Sequence, residues 1–241
     1  MIKKLTKVAL VIPAYNEEAV VAAVINDLHK VFEGSAYEAH VIVVDDGSSD
    51  ATPEVAEKAG AHVIRHILNS GSGSATATGL SYAQAHGFTV AATLDADGQH
   101  QAHDVLRGVD LLVNGGADLL IGSRIIDTQA SHMSLLKTIG NKGLSFITFL
   151  LFGINVTDSQ SGLRIFSERA LKDLKWKTSG YEFCSEMLWR AKQLGLTVAE
   201  YPIKAIYTDY SVSKPGRQNN WNGFNIVKVL LRQRIVELFS E

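Results

Sequence analysis

The chain has 241 residues, 46% hydrophobic and 20% charged, which is enough apolar material for a sizeable core and too much for a disordered chain. Its formal net charge of −2 lacks the basic field on which nucleic-acid binding draws, so no nucleic-acid partner is expected. Cys184 is the one cysteine; it excludes an internal disulfide and suits a reducing cytoplasm.

The N-terminal "MIKKLTKVALVIPAYNEE" carries an apolar run too short for a signal segment. Within it, "VALVIP" (8–13) reads as a buried strand. Residues 17–34 place apolar side chains at 20, 21, 24, 25, 28, 31 and 32, a helical stripe closed by Gly34. "HVIVVDD" (40–46) is the next strand. Residues 52–60 form a helix, with Thr52 at the cap, Pro53 in the first turn and Gly60 past the end. A short strand follows at 62–66. The glycine-studded segment 71–87 turns helical from about Ala75. Strands at 89–95 and 118–122 flank a helix at 102–114. Strands separated by helices imply a mostly parallel sheet covered on both faces, with ligands at the carboxyl ends of its strands.

The second half is less regular. Residues 134–152 are helical and very apolar, 163–166 a short strand, 181–195 a helix, 197–207 extended, 208–220 a polar loop and 221–239 an amphipathic helix. The longest apolar stretch, 146–156, falls short of the roughly 20 residues a membrane span needs, so a soluble or peripheral protein is expected. No repeat or linker interrupts the chain, which reads as one domain.

Three strand ends carry carboxylates: "PAYNEE" (13–18), "DDGSSD" (45–50) and "LDADGQH" (94–100). Along one rim of a parallel sheet they suit a nucleotide; for Asp45 and Asp46 a helix-capping turn is the plainer alternative. Residues i and i+2 of a strand share a face, so Asp95 and Asp97 point together, and Gln99 joins them if the chain stays extended past Gly98. Two carboxylates and an amide oxygen are hard ligands suited to Mg²⁺ or Mn²⁺, with positions left open for a diphosphate. The plainer alternative is a capped turn before the helix at 102. His100 and His103 raise a zinc reading, but no further ligand stands near in the pattern. The glycines at 71, 73 and 79 match no phosphate-binding loop and suit close backbone packing.

In order, "VIPAYNEE", "VVDDGSSDAT", "NSGSGSA", "LDADGQH", "GSR" and "DSQSGLRIF" resemble the motifs of family 2 glycosyltransferases, over about residues 7–215. The similarity is greatest to the branch with dolichyl-phosphate mannose synthase and bacterial polyprenyl-phosphate sugar transferases. It implies a GT-A fold, with a Rossmann-like nucleotide-sugar half (1–125) and an acceptor half (126–241). It also implies inverting transfer from a GDP- or UDP-linked sugar to a polyprenyl phosphate. Pro13, Tyr15, Glu17, Val44 and Asp46 would line the base and ribose; Asp95, Ala96, Asp97 and Gln99 would hold the metal and diphosphate. Arg124 would face the donor phosphates or the acceptor, and Lys214 would reach the diphosphate. Asp158, Gln160, Ser161 and Arg164 would lie beside the acceptor, and Glu182 and Glu186 match acidic positions on the following helix.

Three departures from the family pattern stand out. Ser72 replaces a frequent lysine, and Thr208 replaces an arginine six residues before the late lysine, a contact that Arg217 could supply. The C-terminal membrane spans of many relatives are not expected here, since no stretch of the sequence is long and apolar enough for one. A phosphate acceptor is already anionic and needs no general base, whereas a sugar hydroxyl needs one, for which Asp158 is the best candidate. A transferase acting on a sugar hydroxyl of a surface glycan is therefore the first alternative. A nucleotidyltransferase lacks its basic glycine loop here, and a non-enzymatic nucleotide-sugar sensor would need no metal. The helices at 134–152 and 221–239 suit a peripheral bilayer contact. Core packing, a homodimer or a small membrane partner protein are the other ways to cover them.

Overall fold

In the computed structural model, which describes residues 6–126, 135–204, 206, 228 and 231, a seven-stranded sheet organises the described residues. The strands are β1 (Thr6–Ala14), β2 (Tyr37–Asp45), β3 (His62–Arg65), β4 (Val90–Thr93), β5 (Leu119–Ser123), β6 (Arg164–Ser167) and β7 (Val198–Pro202), in the order β3-β2-β1-β4-β6-β5-β7. All pairings are parallel except those of β6, which runs antiparallel between β4 and β5.

β1 explains the layering. It is apolar without alternation because both of its faces are covered. Val8, Leu10 and Ile12 pack into one core with α1 (Val21–Phe32), α2 (Thr52–Lys58) and α4 (Ala102–Gly115). Ala9 and Val11 pack into a second core with α3 (Ser72–Ala85), α5 (Leu135–Phe152), α6 (Glu168–Asp173) and α7 (Phe183–Gln193). Small residues let α3 lie close to the sheet: a Cβ on Gly79 would stand 3.1 Å from Val44 Cγ2.

Three details differ from the expected elements. Helix α3 begins at Ser72 rather than near Ala75, because the Ser179 carbonyl accepts from Gly73 N at 2.7 Å and so caps that end. Helix α6 was not foreseen, although Ser167 caps it by accepting from Ala170 N at 3.2 Å. Strand β6 is antiparallel because the chain leaves α5 at the carboxyl rim of the parallel strands and must enter the sheet from there. Its first residue, Arg164, pairs with Thr93, the last residue of β4. Of the expected terminal helix, Lys228 and Leu231 are described, and both are helical. The loop 208–220 lies outside the described residues.

Candidate active site

The carboxyl ends of β1 and β2 are tied together by their loops. Asn16 N donates to Ser48 Oγ at 2.9 Å, Ser49 N to Asn16 Oδ1 at 2.9 Å, and Glu17 N to Thr52 Oγ1 at 2.7 Å. This leaves Tyr15 exposed on the rim and Pro13 half-buried, with Glu17 and Val44 buried. The Asp46 carboxylate, also buried, accepts from Ser70 N at 2.9 Å and Gly71 N at 2.7 Å, and lies 2.8 Å from His66 Nδ1. It thus holds the 66–71 loop against the sheet. Gly71 and Gly73 serve close packing: a Cβ on Gly73 would stand 2.7 Å from the Thr178 carbonyl oxygen. Glu186 supports that contact from α7, accepting from Lys177 N at 3.1 Å and Thr178 N at 2.9 Å. Glu182 sits at the start of the same helix.

Past β4 the chain turns instead of staying extended. Gly98 adopts φ +75°, a left-handed conformation that favours glycine. Ala96 points into the core, Asp95 is exposed and Asp97 half-buried. Gln99 is folded back onto Asp97: its backbone N donates to Oδ1 at 3.1 Å and its side-chain amide N to Oδ2. His100 Nε2 lies 3.4 Å from Asp95 Oδ2. Although half of the Asp95 side chain is open to solvent, protein packs closely about its carboxyl. The resulting desolvation would raise its pKa. The hydrogen bond and charge of His100, with the charges of Arg124 and Arg164, outweigh that and hold it below the usual value. Among the described residues no three His, Cys, Asp or Glu side chains cluster as a metal site. His103, part of the zinc reading, is exposed. Two carboxylates at an open rim instead fit a Mg²⁺-type ion, which uses one or two protein carboxylates and takes its remaining ligands from phosphates and water.

Opposite this turn lies the 157–164 loop. Gly162 packs directly on the Asp95 carboxyl, and its carbonyl accepts from Thr93 Oγ1 at 2.9 Å. The fully buried Asp158 takes the Arg124 guanidinium in a two-pronged grip, with Nε to Oδ2 at 2.7 Å and Nη2 to Oδ1 at 2.9 Å, and accepts from Arg124 N at 3.1 Å. Burial opposes the Asp158 charge, but Arg124 and, more weakly, Arg164 hold its pKa below the usual carboxylate range. Arg164 is 1% exposed, beneath the loop, with Nη2 donating to the Ser159 carbonyl at 3.0 Å. In this arrangement it reaches the site through its charge and the loop it supports. Gln160 Nε2 reaches Ser185 Oγ at 3.2 Å, and Ser161 is buried. Burial pushes the pKa of the Cys184 thiol up.

A cavity of about 660 Å³ opens beside the Arg124–Asp158 pair, lined by Ile125, Ile126, Lys142, Phe146, Phe149 and Thr157 among others. Phe146, Phe149 and Leu150 of α5 are exposed. Among the described residues no helix is long and apolar enough to cross a membrane. Lys214 and Arg217 lie outside the described residues. Sequence reasoning overlooked Gly162, Lys142 and Glu200; for Glu200 the available signal was a lone carboxylate in the extended "TVAEYPI".

Comparison with known proteins identifies the fold and the family. The chain is 42% identical, over 92% of its length and 94% of the relative's, to a UDP-N-acetylglucosamine–dolichyl-phosphate N-acetylglucosaminyltransferase of Methanococcus voltae. It is 28% identical to a polyprenol monophosphomannose synthase of Mycolicibacterium smegmatis, over 87% of this chain and 81% of that one. Its fold matches glucosyl-3-phosphoglycerate synthase of Mycobacterium tuberculosis, solved with Mn²⁺, UDP-glucose and phosphoglyceric acid. The TM-score is 0.74 at 21% identity, covering 95% of this chain and 80% of that one. Its sheet is thus that of the GT-A glycosyltransferases. The family model for glycosyl transferase family 2 matches residues 9–175, and the chain belongs to that family.

Proposed function

We propose that the protein transfers a sugar, with inversion, from a UDP- or GDP-linked donor to a polyprenyl phosphate. The observation that carries this reading is the state of Asp158. A general base for a hydroxyl must be ionised, reachable and free to take a proton. Asp158 is ionised but buried, with both oxygens gripped by Arg124. An acceptor that brings its own anionic oxygen needs no such base. The cavity beside the pair also suits a lipid phosphate, with two phenylalanines for an apolar chain and Lys142 for its charged end. The relatives named for dolichyl-phosphate and polyprenol substrates support the same acceptor class.

The donor lies across the rim, with its base and ribose by Pro13, Tyr15, Glu17, Val44 and Asp46. Its diphosphate lies at Asp95, Ala96, Asp97 and Gln99. Asp95 and Asp97 hold Mg²⁺ or Mn²⁺, with Gln99 steadying Asp97. The ion supplies positive charge where the leaving diphosphate becomes more negative. Arg124 adds fixed cationic charge there, Lys214 is the late lysine that would reach the diphosphate, and Arg164 adds to the field from below. Asp158 orients Arg124. The two halves of the chain act as one domain, with β6 of the acceptor half inserted into the sheet of the nucleotide half. Because its acceptor is a membrane lipid, the protein works at the cytoplasmic membrane face, with α5 against the bilayer.

The test is transfer of labelled sugar from UDP-N-acetylglucosamine, UDP-glucose and GDP-mannose to a short polyprenyl phosphate with Mn²⁺. A lipid-phosphate sugar product is expected from one donor. Transfer to oligosaccharide hydroxyls, with none to the lipid phosphate, would overturn the reading.

A further inference from the structure

The Arg124–Asp158 grip depends on a residue from the far edge of the sheet. Glu200 lies on the edge strand β7, in register with Ile121 of β5. Its side chain reaches the loop that delivers Asp158. Oε2 accepts from Thr157 N at 2.8 Å, while Oε1 accepts from Thr157 Oγ1 at 3.1 Å and from Asp158 N at 3.1 Å. Thr157 Oγ1 also lies 2.7 Å from Ser123 Oγ, which accepts from Ile125 N at 3.2 Å. One carboxylate therefore gathers the backbone before Asp158 and, through Thr157, the residues on either side of Arg124.

We infer that Glu200 is a positioning residue of the reaction: it sets where Asp158 presents its oxygens and hence where Arg124 holds its charge. This rests on the reading that Arg124 acts on the reacting phosphates. The chemistry requires a carboxylate, since three donors converge on two acceptor oxygens and ionised acceptors make the stronger bonds. A glutamine offers one acceptor oxygen and turns an N–H₂ toward a donor. The loop would then shift, and a small misplacement of a group that acts in the transition state is costly.

The experiment compares the wild type, Glu200→Gln, Arg124→Lys and the double variant. It measures transfer to farnesyl phosphate with Mn²⁺ from whichever of UDP-N-acetylglucosamine, UDP-glucose and GDP-mannose the wild type uses, and the hydrogen-exchange rate of the Arg124 Nε–H by NMR. Glu200→Gln should lower kcat about 10- to 100-fold while donor KM moves less than about twofold, the signature of an interaction used in the transition state. It should speed the Arg124 Nε–H exchange. In the Arg124→Lys background it should cost less than about twofold more, because the two residues act as one unit. An equal loss in both backgrounds, or unchanged Arg124 exchange, overturns the inference. If the wild type moves no sugar to farnesyl phosphate, the functional reading fails there, and the exchange rate still decides the role of Glu200. Thr157→Val removes only the hydroxyl link and should give the same pattern more weakly. It carries the decision if Glu200→Gln does not fold.

Discussion

Gly162 makes room for Asp95: a Cβ built on Gly162 would stand 2.6 Å from the Asp95 Cγ. The acceptor-side loop and the metal-side turn are thus in direct contact, 67 residues apart in sequence (162 − 95). Because φ at Gly162 is not in the left-handed region, the backbone tolerates alanine there, and the added Cβ would push the Asp95 carboxyl, the end of a flexible side chain, out of its place. Gly162→Ala should fold with a thermal midpoint within a few degrees of the wild type. It should weaken Mn²⁺-dependent binding of the donor's nucleoside diphosphate, UDP or GDP, at least tenfold by calorimetry. Unchanged binding would show that the Asp95 carboxyl can move aside without consequence.

Asp97 should matter for the ion and little for the fold, since it is half-buried on a turn rather than in a core. Asp97→Ala should abolish transfer with an unchanged circular dichroism spectrum. A chelator should do the same reversibly, with activity restored by Mg²⁺ or Mn²⁺. Full turnover in excess chelator would remove the ion from the reaction.

The Arg124–Asp158 pair separates the two acceptor classes. With a lipid phosphate, Asp158→Asn should keep part of the activity, and Arg124→Ala should cost more, since an anionic acceptor must approach an anionic donor. With a hydroxyl acceptor, Asp158→Asn should lose a general-base contribution, typically about 10²–10⁴-fold, and the arginine should matter less. Both variants must still bind the donor's nucleoside diphosphate when the comparison is made.

The same pair shapes the acid stability. The pKa of Asp158 is lowered on folding, so its stabilising contribution is complete above the unfolded value of about 4. It is lost as the pH falls through the lower folded value. The wild type should therefore lose stability more steeply below about pH 4 than Asp158→Asn, in urea titrations at each pH. Parallel curves would mean that the ion pair contributes nothing to folding.

Helix α5 leaves Phe146, Phe149 and Leu150 exposed. Weak, salt-sensitive pelleting with anionic liposomes is expected, and Phe146→Ser with Phe149→Ser should abolish it without changing nucleoside-diphosphate binding. No pelleting at low salt, with a dimer by light scattering that the same substitutions dissociate, would assign the face to a second copy.

What the sequence by itself determined is local in origin. The uninterrupted apolar run at 8–12 required a strand covered on both faces, and the stripe from Val20 to Phe32 required a helix. "LDADGQH" put two carboxylates where a buried strand ends. Periodicity, turn residues and strand-end carboxylates arise from neighbours a few residues apart, so they are legible along the chain. The remainder was decided by contacts between distant segments. Asp46 was legible as a strand-end acid, but its partners, Ser70 and Gly71, come from the loop after β3. Gln99 was expected beside Asp97, but the left-handed turn at Gly98 folds it back onto that carboxylate. The reversal of β6 follows from where α5 returns the chain to the sheet. Glu200 lies 42 residues from Asp158 and reads along the chain as an ordinary edge-strand acid. No periodicity records which backbone donors a side chain will meet once the sheet has assembled, because those distances exist only after the core has packed.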